Sequence, residues 1–111
     1  MIIRSGITGK TPWTREDDRL FTDLPKEDQE AILKWIKDSI IPGKSPYNRC
    51  SSYGLKHMME YDIKLYTTNN QFKHAMLIAG YKPVDEHTLN WVYRISGKSP
   101  AVNLKAHGYM C

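Results

Sequence analysis

The stretch TTNNQFKHAMLIAG, residues 67–80, holds a start signal, an amphipathic body and a stop signal for one helix. Thr68 and Gln71 stand three apart, the spacing of a capping box, in which each side chain satisfies a backbone N–H of the other residue. Phe72, Ala75, Met76 and Ala79 then recur at i, i+3, i+4 and i+7, one apolar stripe on a 3.6-residue period. Gly80 is suited to the left-handed position that closes many helices. The spacing predicts a helix over 68–80. Its polar side carries Asn70, Lys73 and His74, together with Leu77.

The residues before it repeat the theme. Ser51 or Ser52 can cap a helix whose Leu55, Met58, Met59 and Ile63 follow helical spacing, although Gly54 lowers its propensity by roughly 1 kcal/mol. Only Lys64 to Thr67 separate the two helices, which reads as a helix-turn-helix. After Pro83 the period falls to two. Leu89, Trp91, Tyr93 and Ile95 alternate with Asn90, Val92 and Arg94, a strand pattern. A shorter strand is expected over Tyr81 to Val84, and Asp85 to Thr88 form a hairpin-sized connector.

Farther towards the N-terminus, Lys26 to Ile41 is amphipathic through Ile32, Trp35, Ile36 and Ile40, and Pro42-Gly43 ends it. A short helix capped by Thr14 precedes it, with Leu20, Phe21 and Leu24 as its apolar face. Residues 42–50 are a loop. Residues 1–13 are expected to form a flexible basic arm and 97–111 a loosely ordered tail, leaving one domain over 14–96. Three to four helices followed by a β-hairpin give an α+β, mainly helical chain. That order of elements is the winged helix-turn-helix, with its reader and wing in 51–96.

Composition narrows the function. The chain has 111 residues, 41% of them apolar and 25% charged, which suits an ordinary globular domain. No segment reaches the roughly 20 apolar residues of a membrane span. Met1 to Gly6 lacks the apolar run of a secretory signal, so the expected location is the cytoplasm. The two cysteines, Cys50 and Cys111, are expected to be free thiols. No zinc spacing, phosphate-binding glycine loop or nucleophile elbow occurs, so no metal, cofactor or enzymatic activity is expected.

The net charge of +4 is unevenly spread. Residues 14–40 hold five Lys/Arg and eight Asp/Glu, whereas residues 41–111 hold nine and four. The basic excess therefore surrounds the candidate reader, an arrangement expected of a protein that neutralises phosphates. Asn70 can pair with an adenine edge, and Lys73 can reach guanine or phosphate. Thr67, Thr68 and Asn69 border a helix N-terminus, whose free N–H groups attract phosphate. His74 shares the reader's polar face. Lys82, His87 and Arg94 of the wing, Lys56 of the preceding helix, and Arg4 and Lys10 of the arm complete the nucleic-acid-binding set. Tyr47, Tyr53, Tyr66 and Tyr81 border loops. They suit stacking on the bases of a single strand, or covering the edge of the core.

Residues 51–96 resemble the winged-helix segment that closes many phage, plasmid and poxvirus-type primase-helicases. The matching run is F-x-x-x-[ML]-x-x-x-G-[FY], represented here by Phe72, Met76, Gly80 and Tyr81. The segment also looks like small proteins of Gram-positive phages and mobile elements. The resemblance implies a DNA-contacting role at Asn69, Asn70, Lys73 and His74. It implies no ATPase or primase activity, because those motifs are missing. The leading expectation is a small phage or mobile-element protein that binds duplex DNA as a monomer or homodimer. The competing expectation is an interaction module that inhibits a host or mobile-element protein, in the manner of an anti-CRISPR protein or a replication inhibitor. The acidic runs Glu16-Asp17-Asp18 and Glu27-Asp28-Glu30 support it.

Overall fold

The computed structural model describes residues 20–102. Three α-helices dominate it: α1 over Lys26–Ser39, α2 over Ser52–Ile63 and α3 over Asn69–Ile78. Single 3-10 turns over Phe21–Asp23 and Pro100–Val102 flank them. None of the helices is long and apolar enough to cross a membrane. The arm at 1–13 and the helix start at Thr14 lie outside the described residues, as do Arg4 and Lys10.

Each helix is built from the local signals that announce it. The Thr68 hydroxyl accepts from the Gln71 N–H at 3.1 Å, and the Gln71 side chain accepts from the Thr68 N–H at 3.0 Å. At the other end of α3, the Tyr81 N–H donates to the Met76 carbonyl at 2.8 Å and the Gly80 N–H to the Leu77 carbonyl at 3.0 Å. With Gly80 at φ 100°, this is the double closure that only a left-handed residue permits. Helix α2 ends on Lys64 at φ 55°, a left-handed conformation carried by a residue with a Cβ.

The core joins all three helices. Ile32, Trp35 and Ile36 of α1, Leu55, Met58 and Met59 of α2, and Phe72, Ala75 and Met76 of α3 are buried together. Trp35 meets Phe72 edge to face, and its indole N–H donates to Asp62 at 2.8 Å. Ala101 and Val102, from the segment read as a loose tail, also enter this core. Cys50 is buried and disulfide-bonded, which corrects the expected free thiol. The chain's other cysteine, Cys111, lies outside the described residues.

The β-hairpin wing does not form, so the α+β winged-helix expectation is corrected: no β-strand occurs among the described residues. The alternation that suggests the strand is real in burial only from Trp91 onward, with Trp91, Tyr93 and Ile95 buried and Arg94 exposed, whereas Leu89 is exposed. This extended segment lies between two other pieces of chain. It forms isolated bridges between Pro42 and Ile95 on one side and between Pro83 and Tyr93 on the other. In both bridges the bonds are made by the residues beside the proline, whose nitrogen faces away from the segment, and the pairings stop where the chain bends at Lys44–Ser45 and at Val84. The segment's remaining bonds go to loops and to a helix start. Gly43 donates to Arg94, Tyr47 to Tyr93, Ser52 to Trp91 and Val84 to Val92. The connector 85–90 is exposed and is held by an Asx turn in which the His87 N–H donates to Asp85 at 2.9 Å.

Candidate nucleic-acid interface

Helix α3 is not a reader laid out on the surface. It packs against α1, α2 and the turn at 21–23, and its polar side turns inwards. Lys73 is fully buried, with its ammonium 5.0 Å from the centre of the Trp91 ring. Asn70 is 3% exposed. His74 is half-buried; its Nδ1 accepts from the Phe21 N–H at 3.1 Å, and its ring meets Phe21 edge to face. Sequence periodicity assigned these three residues to solvent. The 3-10 turn packs on His74, and Trp91 of the extended segment lies against Lys73 instead.

The start of α3 is tied down with equal care. The Ser52 hydroxyl donates to Asn69 Oδ1 at 3.0 Å. The Asn69 amide in turn donates to Asn90 Oδ1 at 3.0 Å and lies 3.3 Å from the Leu89 carbonyl. Thr67 is buried; its N–H lies 3.4 Å from Glu60 Oε2, and its hydroxyl has no hydrogen-bond partner among the described residues.

Lys56 is where sequence and structure converge on a surface. Although 4% exposed, it does not reach the deep core. Its ammonium pairs with Glu60 one turn along α2 at 2.9 Å. The same ammonium lies 5.2 Å from the centre of the Tyr53 ring and 5.0 Å from that of Tyr66. Both distances suit a cation–π contact. The two rings are 50% and 69% exposed, so the cation is covered by aromatics that themselves face water. His57 meets Tyr53 edge to face at 4.4 Å, which fixes the orientation of that ring. These residues, with Thr68, Asn69, Asn70 and Leu89, line a groove of about 270 Å³ between α2 and the start of α3.

The remaining predicted residues lie elsewhere. Lys82 and Arg94 line a second hollow of about 380 Å³ with Pro42, Ala79, Gly80 and Tyr81, at the C-terminal end of α3. The Tyr81 hydroxyl donates to the Ile40 carbonyl at 3.1 Å, and burial raises its pKa above the ordinary value of 10.0. His87 is exposed with Nδ1 3.3 Å from Asp85. The Asp85 carboxyl is held below its ordinary pKa, chiefly by the hydrogen bond from the His87 backbone. Thus Lys56, Thr68, Asn69 and Asn70 meet in one place, and Lys82 and Arg94 meet in another.

Tyr53, His57, Tyr66 and Leu89 were not among the residues singled out as the interface. The signal for them was present. Tyr53, His57 and Tyr61 stand at i, i+4 and i+8 on α2, off the stripe of Leu55, Met58 and Met59. No protein-family model, curated protein or solved structure matches the chain.

Proposed function

We propose that this protein binds nucleic acid, with the groove between α2 and the start of α3 as the contact surface. The observation that carries this reading is the Lys56 ammonium set between two exposed tyrosine rings. An aromatic surface braced by an ion-paired lysine offers faces on which bases can stack. Exposed Lys64, two residues before Tyr66, adds a cation at the end of α2; its ammonium lies 4.6 Å from the Tyr61 ring. The net charge of +4 favours the same class of partner.

Insertion of α3 into a major groove is the weaker mechanism, because Asn70 and Lys73 would first have to leave the core. Fluorescence anisotropy of a labelled oligonucleotide at low salt tests the reading. Saturable binding that weakens as salt rises supports it. Failure of both single-stranded and duplex oligonucleotides to bind at low salt overturns it.

A further inference from the structure

Building on that reading, we infer that the groove takes unpaired bases of a single strand, held by stacking on Tyr53 and Tyr66 with little regard to sequence. Three observations lead there.

The first is which polar groups around the groove are already committed. Lys56 pairs with Glu60, Thr68 closes the capping box with Gln71, and Asn69 is bonded to Ser52 and Asn90. Asn70 is buried. Reading a base edge requires donors and acceptors aimed outwards. These side chains are spent on holding α2, α3 and the 89–90 turn together. What the surface offers instead is the faces of two tyrosines, and every base has a face to stack on them.

The second is size and access. About 270 Å³ lies just below the ~300 Å³ at which pockets for small molecules usually begin. The volume suits one flat ring system lodged against Tyr66, with its sugar and phosphate outside. A base inside a duplex is covered on both faces by its neighbours and cannot enter. An unpaired base enters without the cost of unstacking a duplex.

The third is repetition along α2. Tyr61 lies eight residues after Tyr53, about 12 Å along the axis, and it too is half-exposed with a lysine over its ring. Stacked bases are about 3.4 Å apart along a strand of duplex. Rings about 12 Å apart therefore engage separate nucleotides of a drawn-out strand.

The test compares one labelled oligonucleotide of mixed sequence, as DNA and as RNA, free and annealed to its complement, by anisotropy with the full-length chain. The expected result is tighter binding of at least one free strand than of its duplex, by about tenfold or more, with homopolymer strands within a few-fold of the mixed one. Tyr66→Ala, at a position 69% exposed, should weaken single-strand binding on the order of tenfold. Tyr66→Phe should restore it. Duplex bound as tightly as single strand would overturn the inference and leave the nucleic-acid reading standing. Loss of binding in both Tyr66→Phe and Tyr66→Ala would also overturn it, because a hydroxyl rather than a ring face would then hold the strand. Binding of neither strand nor duplex would remove the underlying reading itself.

Discussion

Ser52 and Trp91 exchange two hydrogen bonds across 39 residues of chain: the Ser52 N–H donates to the Trp91 carbonyl at 2.6 Å, and the Ser52 hydroxyl accepts from the Trp91 N–H at 2.9 Å. The same hydroxyl donates to Asn69. One buried serine thus joins the first turn of α2, the first turn of α3 and the extended segment. Ser52→Ala keeps the helix start but orphans the buried Trp91 N–H. It should cost about 1–3 kcal/mol of stability, read from urea unfolding. A change below about 0.5 kcal/mol would show that this junction does not hold the three pieces together.

Lys73 makes the second prediction, because its location reverses the usual meaning of a lysine substitution. The whole side chain is buried, with its ammonium against the Trp91 ring. Lys73→Ala should behave like a large-to-small core change and lower the unfolding free energy by about 2–4 kcal/mol. At a temperature where the variant remains folded, its affinity for oligonucleotides should stay within about threefold of the parent. A stable variant that has lost binding would return Lys73 to the interface.

Gly43 lies where the loop after α1 meets the extended segment. A Cβ there would stand 2.6 Å from the Ile95 carbonyl carbon and 2.8 Å from the Ser96 nitrogen, both backbone atoms. Because backbone cannot rotate aside, Gly43→Ala should cost at least about 1–3 kcal/mol. The same substitution at Gly97 meets only the Tyr47 ring, at 3.3 Å, and should be milder. Thermal unfolding of the two variants side by side checks the order, and equal losses would refute it.

Lys64 joins stability and binding with opposite signs. At φ 55° its Cβ is strained, so Lys64→Gly should raise stability by up to about 1 kcal/mol. The same change removes the cation beside Tyr61. For a single strand, the slope of log affinity against log salt should become shallower by about 0.7. An unchanged slope would place Lys64 outside the footprint of the strand.

Tyr93 sets the alkaline limit. Burial raises its pKa well above 10.0, and its hydroxyl has no hydrogen-bond partner among the described residues. The unfolded chain therefore releases this proton first as pH rises. The stability tied to the neutral phenol is complete below the ordinary value of 10.0 and is lost as pH climbs from there towards the folded-state value. Tyr81 adds a loss of the same sign. Tyr93→Phe should be neutral or stabilising by about 1 kcal/mol at pH 7 and should flatten the alkaline decline. Urea midpoints at a series of pH values would expose the opposite result, an undiminished decline.

What could be read from the sequence was what is decided within a few residues. The Thr68–Gln71 cap and the closure at Gly80 depend on neighbours along the chain, and both stand as the spacing predicts. The wing depended on a pairing partner. Alternation of Trp91, Tyr93 and Ile95 says that one face is buried, but not whether a ladder or isolated bridges hold the backbone. The bends at Lys44–Ser45 and at Val84 decide that, and the first comes from a loop some fifty residues away. Amphipathicity assigns Lys73 and Asn70 to solvent because it assumes one covered side, whereas α3 packs against α1, α2 and the turn at 21–23, and Trp91 lies against Lys73. The groove was half legible. Lys56, Thr68, Asn69 and Asn70 were marked, while its aromatic walls were read as either base-stacking surfaces or edges of the core.

The two prolines have a consequence for how copies of this chain meet. An extended segment is a template on which a neighbouring molecule can add a strand, the first step towards swapped dimers or fibrils. Here the segment at 91–96 has its two flanks bridged, and the bridging residue on each side is a proline. An incoming strand finds no donor at either position. With their nitrogens turned outward, the two prolines protect the chain against growth by edge-on stacking.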